Sequence, residues 1–79
     1  MNRYTTTDGK VFIAESDLVF AEMLRADAAH YPTETLQDFM RLVSRWSWTF
    51  SEANINPTNP TTFVDTLIAS GLIQKDAIQ

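Results

Sequence analysis

Two short runs of β-forming residues open the chain, and a turn sequence separates them. Residues 3–7 and 10–14 are rich in β-branched and aromatic side chains, and Asp8-Gly9 lies between them. Asp-Gly provides the positive φ angles of a two-residue type I′ turn, so the pattern predicts a β-hairpin over residues 3–14. Since an isolated hairpin is only marginally stable in water, we expect it to dock on helices. The side chains expected to face the core are Tyr4, Phe12 and Ala14.

Apolar residues at helical spacing predict three helices after the hairpin. The predicted helices span about residues 16–30, 34–51 and 60–70. Ser16, Thr35 and Asn59 are suitable N-cap residues, because their side chains can accept hydrogen bonds from the free N–H groups of a first turn. Pro32 ends the first helix, since the residue before a proline avoids the α region. Gly71 ends the third helix, because glycine readily adopts the left-handed conformation of a helix C-terminus.

The second helix carries the widest apolar stripe of the three. The members of this stripe are Leu36, Phe39, Met40, Val43, Trp46 and Phe50. Residues 54–60 contain two Asn-Pro turn sequences and are predicted to be a connector, and residues 74–79 are predicted to be frayed. The expected fold class is therefore α+β, with an N-terminal β-hairpin packed on a three-helix bundle and residues 1–79 forming a single domain.

Composition narrows the possible chemistry. The chain has 79 residues, no cysteine, six Lys and Arg residues and ten Asp and Glu residues, for a net charge of −4. Without cysteine there is no disulfide framework, thiolate nucleophile or cysteine-based zinc site. The acidic balance argues against direct nucleic-acid binding, which normally requires clustered basic residues. No apolar run approaches the roughly 18 residues of a membrane span, and the first residues are unlike a signal peptide, so we expect a cytoplasmic protein without membrane contact.

The negative charge is concentrated in residues 15–38, which hold six acidic residues and one arginine. The acidic residues are Glu15, Asp17, Glu22, Asp27, Glu34 and Asp38. One interpretation is that they form ordinary solvated helix faces. The other is that they form a negative surface that attracts a basic groove on a partner. Asp27 falls on the apolar side of the first helix, so we expect it at the rim of the core, in an ion pair with Arg41 or Arg45.

Catalytic and metal-binding constellations are sparse. His30 is the only histidine, and Asp27 could pair with it across one helical turn. Because a general base also needs a nucleophile or substrate held in a rigid cleft, this pair is interpreted as a surface contact. His30, Asp27 and Glu34 are too few and too scattered for a metal centre. The sequence thus predicts no catalytic residue, no cofactor and no metal.

A helix-turn-helix DNA-binding protein is a further alternative for a chain with three helices. Its recognition helix should present arginine, lysine, asparagine or glutamine to the bases and phosphates. The polar side of the third helix instead carries Thr61, Thr62, Asp65 and Thr66, with no basic residue. Direct DNA binding is therefore not expected.

Trp48 is the most informative position for function. The apolar stripe of the second helix is centred near Val43 and Phe50, and Trp48 lies about 160° away, beside Arg41 and Arg45. A tryptophan beside two arginines is typical of a protein–protein hot spot. The alternative is that the hairpin or the C-terminal segment covers Trp48 and makes it part of the core.

The two ends of the chain suggest a family. The opening Tyr4-Thr-Thr-Thr-Asp-Gly-Lys-Val-Phe12 and the closing Phe63-Val-Asp-Thr-Leu-Ile-Ala-Ser-Gly-Leu-Ile73 resemble small accessory proteins of phages and mobile elements. Some proteins of that kind are anti-CRISPR inhibitors of type I systems. The resemblance implies a stoichiometric inhibitor that occupies a crRNA-guided complex, often through an acidic surface that imitates DNA. It transfers no functional residue.

The sequence as a whole predicts a non-catalytic protein-binding protein. We expect it to inhibit a host nucleic-acid-handling protein or ribonucleoprotein complex through the six acidic residues of segment 15–38, with Trp48, Arg41 and Arg45 as an anchor. The chain is expected to be a monomer or a weak homodimer. The alternative function is a small DNA-associated regulator.

Overall fold

A third strand, which the sequence pattern does not predict, completes a sheet with the hairpin. The computed structural model describes residues 1–28 and 33–78. Its elements in chain order are β1 (Asn2–Thr6), β2 (Val11–Ala14), α1 (Asp17–Asp27), α2 (Leu36–Ser51), α3 (Pro60–Ala69) and β3 (Ile73–Ala77). The predicted mixture of helices and strands is confirmed, and the strands form an antiparallel sheet in the order β2-β1-β3.

β1 and β2 form the predicted hairpin, but its turn is one residue longer than expected. The N–H of Thr6 donates to the carbonyl of Lys10 at 2.9 Å, so residues 7–9 form the loop. Within this loop only Gly9 has a positive φ, of 91°. A type I′ turn requires a positive φ at both central residues, so the prediction of a two-residue turn is wrong. The loop instead matches the three-residue class that ends on a left-handed glycine.

The cap residues start the three helices where the sequence predicts. The side chains of Ser16, Thr35 and Asn59 each accept a hydrogen bond from the N–H three residues further along the chain, at 3.2, 3.1 and 2.9 Å. α1 ends at Asp27 rather than near residue 30. His30 lies outside the described residues, as does its predicted contact with Asp27.

The C-terminal segment is a strand, so the prediction that it is frayed is wrong. Gly71 has a φ of 76°, and the N–H of Leu72 donates to the carbonyl of Leu67 at 3.0 Å. This glycine-terminated end of α3 reverses the chain direction. Ile73–Ala77 then pair along the open edge of Asn2–Thr6. β1 thereby becomes the central strand, with hydrogen bonds on both sides.

The core lies between the inner face of the sheet and the helices. The ring of Tyr4 stacks on the ring of Phe20 with centroids 4.1 Å apart, and Phe12 meets Phe20 edge-on at 5.6 Å. These contacts hold β1 and β2 against α1. The predicted core positions Tyr4 and Ala14 are buried, and Phe12 is half-buried against them. The other buried apolar residues of the cluster are Phe20, Ala21, Met40, Ile55, Phe63, Val64, Leu67 and Ile73.

Candidate functional site

The C-terminal half of α2 extends beyond the core. The two buried residues of α2 are Phe39 and Met40, both in its first half. Further along, Val43 is only partly buried, while Trp48 is 62% exposed and Phe50 is 80% exposed. The described chain measures 35 Å along its longest axis against 25 and 23 Å along the others. A 16-residue helix is about 24 Å long, and the core covers only part of this length.

Trp48 is not covered by the hairpin or by the C-terminal segment, so the alternative that places it in the core is wrong. It shares the polar side of α2 with Arg41 and Arg45, which are also exposed. Within residues 1–28 and 33–78, neither arginine has an acidic side chain within the 4.0 Å of an ion pair. Arg41, Arg45 and Trp48 form one continuous surface, which we name the Trp48 face.

An open depression adjoins the Trp48 face. It is lined by Thr33, Asp38 and Leu42 together with the two arginines. The depression therefore combines an aliphatic side chain, two cationic groups and the Asp38 carboxylate beside an exposed indole. This combination suits a partner that presents both apolar and carboxylate groups.

The chain that follows α2 holds the helix in place. Glu52 caps the helix in the left-handed conformation, with a φ of 54°. The chain then runs back beside the helix, where the hydroxyl of Ser44 donates to the carbonyl of Ile55 at 2.6 Å and the amide of Gln37 donates to the carbonyl of Pro57. Since Ile55 is buried, this return segment anchors one side of α2. The Trp48 face therefore lies on a supported helix.

Phe50 departs from the predicted core stripe. Its spacing places it on the same side of α2 as Val43, but the core ends before that turn of the helix. Periodicity identifies the side of a helix that faces the core and carries no information on how far along the helix the core extends. The prediction that Phe50 is a core residue is therefore wrong.

The acidic residues of segment 15–38 do not form one uninterrupted negative surface. Asp17 binds the ammonium of Lys75 at 3.0 Å, and Asp27 binds that of Lys10 at 2.6 Å. Glu22 lies 4.0 Å from Arg25 in the same helix. The acidic residues of the segment that form no ion pair among the described residues are Glu15, Glu34 and Asp38, and all are exposed.

Asp27 has a different partner from the one predicted. Its ion pair is with Lys10, next to the hairpin loop, rather than with Arg41 or Arg45. The reason is topological, because the hairpin packs against α1 and brings its loop to the C-terminal turn of that helix. This contact raises the pKa of the Lys10 ammonium through its hydrogen bond to the Asp27 carboxylate.

Tyr4, Asp17 and Lys75 form a cluster that sequence reasoning missed. The phenol of buried Tyr4 donates to the Asp17 carboxylate at 2.7 Å, and the Lys75 ammonium lies 5.6 Å from the centre of the Tyr4 ring. Burial, followed by the hydrogen bond to Asp17, raises the pKa of Tyr4 to about 12. The phenol therefore stays protonated and joins three elements as a structural group. Sequence spacing does not reveal this cluster, because Tyr4 lies 13 positions and Lys75 lies 58 positions from Asp17.

Other candidate chemistry is limited in the part of the chain that the structure describes. No group of three or more His, Asp or Glu side chains there could hold a metal ion. None of the described helices is both long enough and apolar enough to cross a membrane.

The comparisons with known proteins return no relative. No family model, no curated protein and no solved structure matches the chain. Function is therefore inferred from the surface of the chain itself, and from the Trp48 face above all.

Proposed function

We propose that this protein is a non-catalytic, cytoplasmic protein-binding protein that docks on its partner through the Trp48 face. The observation that carries the proposal is the 62% exposure of Trp48 beside two arginines that have no ion pair in the described chain. Tryptophan and arginine are the residue types most enriched among interface hot spots. In a chain this small, an exposed indole that adds nothing to the core is best explained by binding.

The two arginines define the chemistry of the partner. Arg41 and Arg45 are four positions apart on one helix, so their charges repel each other by about 0.2–0.5 kcal/mol. Carboxylates on a partner would remove this repulsion and form charge-assisted hydrogen bonds with the guanidinium groups. The expected partner surface is thus an apolar pocket for Trp48 with acidic residues on its rim.

The experiment compares Trp48→Ala with Phe50→Ala in quantitative affinity capture from a lysate of the host. Both aromatic side chains are exposed and lie on opposite sides of α2. Comparing the two variants therefore distinguishes specific binding through the Trp48 face from nonspecific binding through any exposed aromatic side chain. We expect the proteins captured by the unmodified chain to be retained by Phe50→Ala and reduced at least about tenfold by Trp48→Ala, because a hot-spot tryptophan contributes 2 kcal/mol or more.

Folding is checked in the same experiment. Circular dichroism should give both variants the spectrum of the unmodified chain, since neither side chain belongs to the buried cluster. A Trp48→Ala variant that folds and still captures the same proteins in the same amounts would contradict the proposal.

An inhibitor of a host nucleic-acid-handling complex is the narrower form of this proposal. Its support is the group of exposed carboxylates that form no ion pair among the described residues, Glu15, Glu34 and Asp38. The ion pairs of Asp17, Glu22 and Asp27 weaken the negative field that such an inhibitor would use. The captured proteins distinguish the two forms. Capture of a crRNA-guided complex would support the inhibitor if the complex is lost when these three carboxylates are replaced by amides or serine. If no such complex is captured, the inhibitor form of the proposal is contradicted.

The runner-up is a small DNA-associated regulator. Arg41 and Arg45 are the adjacent basic residues that support it. A mobility shift on duplex DNA that weakens steeply with salt would favour this alternative over a protein partner.

A further inference from the structure

The outer edge of β2 presents free backbone hydrogen-bonding groups. The N–H of Thr6 donates to the carbonyl of Lys10, so these residues form a hydrogen-bonded pair of the antiparallel ladder. Bonded pairs recur at every second residue, which makes Phe12 the next residue of β2 that bonds to β1. The N–H and C=O groups of Val11 and Ile13 therefore point away from β1, and no group in the described chain bonds to them there.

The two edges of the sheet differ in their protection against strand pairing. β3 contains Lys75 and Asp76, and charged side chains on an edge strand discourage another strand from pairing with it. β2 has no charged residue and no proline. Its side chains on the solvent face of the sheet, Val11 and Ile13, are 54% and 45% exposed. The unprotected edge is therefore that of β2.

We propose that the β2 edge is a docking site for an extended segment of another protein, which adds a fourth strand to the sheet. An extended backbone presents donors and acceptors at the two-residue spacing of Val11 and Ile13. In such complexes the main-chain hydrogen bonds provide affinity, and side chains at alternate positions provide specificity. The β2 edge and the Trp48 face are separate surfaces, so this contact is additional to the proposed function.

The side of α1 beneath the β2 edge indicates which side chains the segment should carry. A step of three residues moves about 60° around a helix, always in the same direction. Asp17 binds β3, and Phe20, one step further, contacts β2. Met23 and Ala26 are the next two steps and turn toward the open side of β2, with Val19 between them. Since Val19 and Ala26 are exposed, we expect apolar side chains on the inward face of the segment.

Acidic side chains at both ends of β2 define the charge of the segment. Asp8 lies in the hairpin loop before the strand, and Glu15 follows the strand directly. Both are exposed, and neither forms an ion pair among the described residues. Lys10, the basic residue next to the strand, is already paired with Asp27. A segment with basic residues at its two ends therefore complements this edge.

The same charges argue against a second copy of the chain as the occupant. An antiparallel pairing about a two-fold axis at Phe12 would join Val11 of one copy to Ile13 of the other. That register brings Asp8 of each copy toward Glu15 of the other. Because like charges would then approach at both ends of the pair, a partner with basic ends is the better fit.

Nuclear magnetic resonance titration with a synthetic peptide tests the docking site. The probe has alternating valine and threonine residues between two pairs of lysines. We expect saturable binding, with the largest amide shift changes in the protein at Val11 and Ile13. A peptide with glutamates in place of the lysines should bind at least about tenfold more weakly, because its ends repel Asp8 and Glu15. N-methylation of every central residue of the lysine peptide should abolish binding, since it removes the donors of both edges.

Two variants at one position separate backbone pairing from side-chain contact. Ile13→Pro removes an N–H that the sheet itself does not use, and proline is tolerated at such edge positions. Ile13→Thr keeps the N–H and a β-branched side chain. We expect the lysine peptide to bind at least about tenfold more weakly to Ile13→Pro and within about threefold of the unmodified protein for Ile13→Thr. Circular dichroism checks folding, and the methylated peptide gives the same test without any change to the protein.

Three results would overturn the proposal. One is the lack of saturable binding of the lysine peptide below about 1 mM, and another is equal binding of the methylated peptide. The third comes from sedimentation equilibrium without peptide, where a dimer that Ile13→Pro dissociates would assign the edge to a second copy. A mass that stays at 9.0 kDa supports a free edge. Trp48→Ala should bind the lysine peptide as the unmodified protein does, so this proposal and the proposed function can fail separately.

Discussion

At the scale of single residues, Tyr4 links three elements of the fold. Its ring stacks on Phe20 of α1, and its hydroxyl donates to Asp17 at the start of that helix. Lys75 reaches the same carboxylate from β3 at 3.0 Å. The buried hydroxyl is thereby satisfied, and within the described residues no buried side-chain nitrogen or oxygen atom lacks a hydrogen-bond partner. One side chain thus supplies both apolar packing and a charge-assisted hydrogen bond.

Tyr4→Phe isolates the contribution of this hydrogen bond. The substitution keeps the ring and removes the donor, and hydrogen bonds to charged groups contribute about 1.5–3 kcal/mol. Because Asp17 retains Lys75, we expect the free energy of unfolding to fall by about 1–2 kcal/mol in urea titrations. Tyr4→Leu should cost more, since it also removes the aromatic stacking. A Tyr4→Phe variant as stable as the unmodified protein would show that the hydroxyl contributes nothing.

At the scale of elements, β3 and α2 are where prediction from the sequence is least complete. β3 contains Gln74, Lys75 and Asp76 in succession, a polar run that has no strand pattern of its own. It forms a strand because the reversal at Gly71 delivers it to the open edge of β1. α2 shows the converse case, since its apolar stripe is correctly located but is longer than the core beneath it. In both elements the missing information is the position of a neighbour.

Ile73→Ala tests whether β3 is an integral part of the fold. Ile73 is 7% exposed, and truncating a buried isoleucine to alanine costs about 2–5 kcal/mol. Gln74→Ala is the control in the same strand, because Gln74 is exposed and its replacement should change stability by less than about 0.5 kcal/mol. Thermal and urea unfolding measure both variants. If Ile73→Ala is as mild as Gln74→Ala, β3 contributes little to the stability of the fold.

At the scale of the whole molecule, the fold separates a stabilised body from an exposed helix end. The sheet, α1, α3 and Met40 of α2 share the buried cluster, with Ile55 of the return segment beside them. The ion pairs Lys10–Asp27 and Asp17–Lys75 connect the sheet to α1 at two places. The Trp48 face lies on the exposed side of α2, outside this cluster. Substitutions there should therefore change binding without changing the fold.

Alkaline pH should destabilise the whole molecule through Tyr4. Its pKa is about 12 in the folded protein against 10.0 for the free side chain, so the folded state holds the phenolic proton more tightly. The contribution to stability is complete below pH 10.0 and is lost as the pH rises toward about 12, because the unfolded chain loses the proton first. We expect a decrease on the order of 1–3 kcal/mol over this interval, measured by urea unfolding at each pH.

Tyr4→Phe is the control for the alkaline effect. Lys10 has a raised pKa from its contact with Asp27 and acts in the same direction, so some decrease remains in this variant. The slope of stability against pH should nevertheless be clearly smaller than in the unmodified protein. An unchanged slope would assign the alkaline effect to other groups.

The sequence by itself determined the local structure of this protein. Some features depend only on the backbone conformation of a few neighbouring residues, which the local side chains specify directly. These features are the helix caps at Ser16, Thr35 and Asn59, the chain reversal at Gly71 and the left-handed Gly9 of the hairpin. The angular separation of Trp48 from the apolar stripe is likewise a local property of helix geometry.

Only the tertiary structure decided which surfaces are covered. Three findings depend on residues that are distant in sequence. They are the pairing of β3 with β1, the exposure of Phe50 and Trp48, and the ion pair of Asp27 with Lys10 instead of Arg41 or Arg45. Periodicity gives the direction of a side chain around its helix or strand. Burial requires in addition that another element lie in that direction, and the position of that element is set by how the whole chain packs.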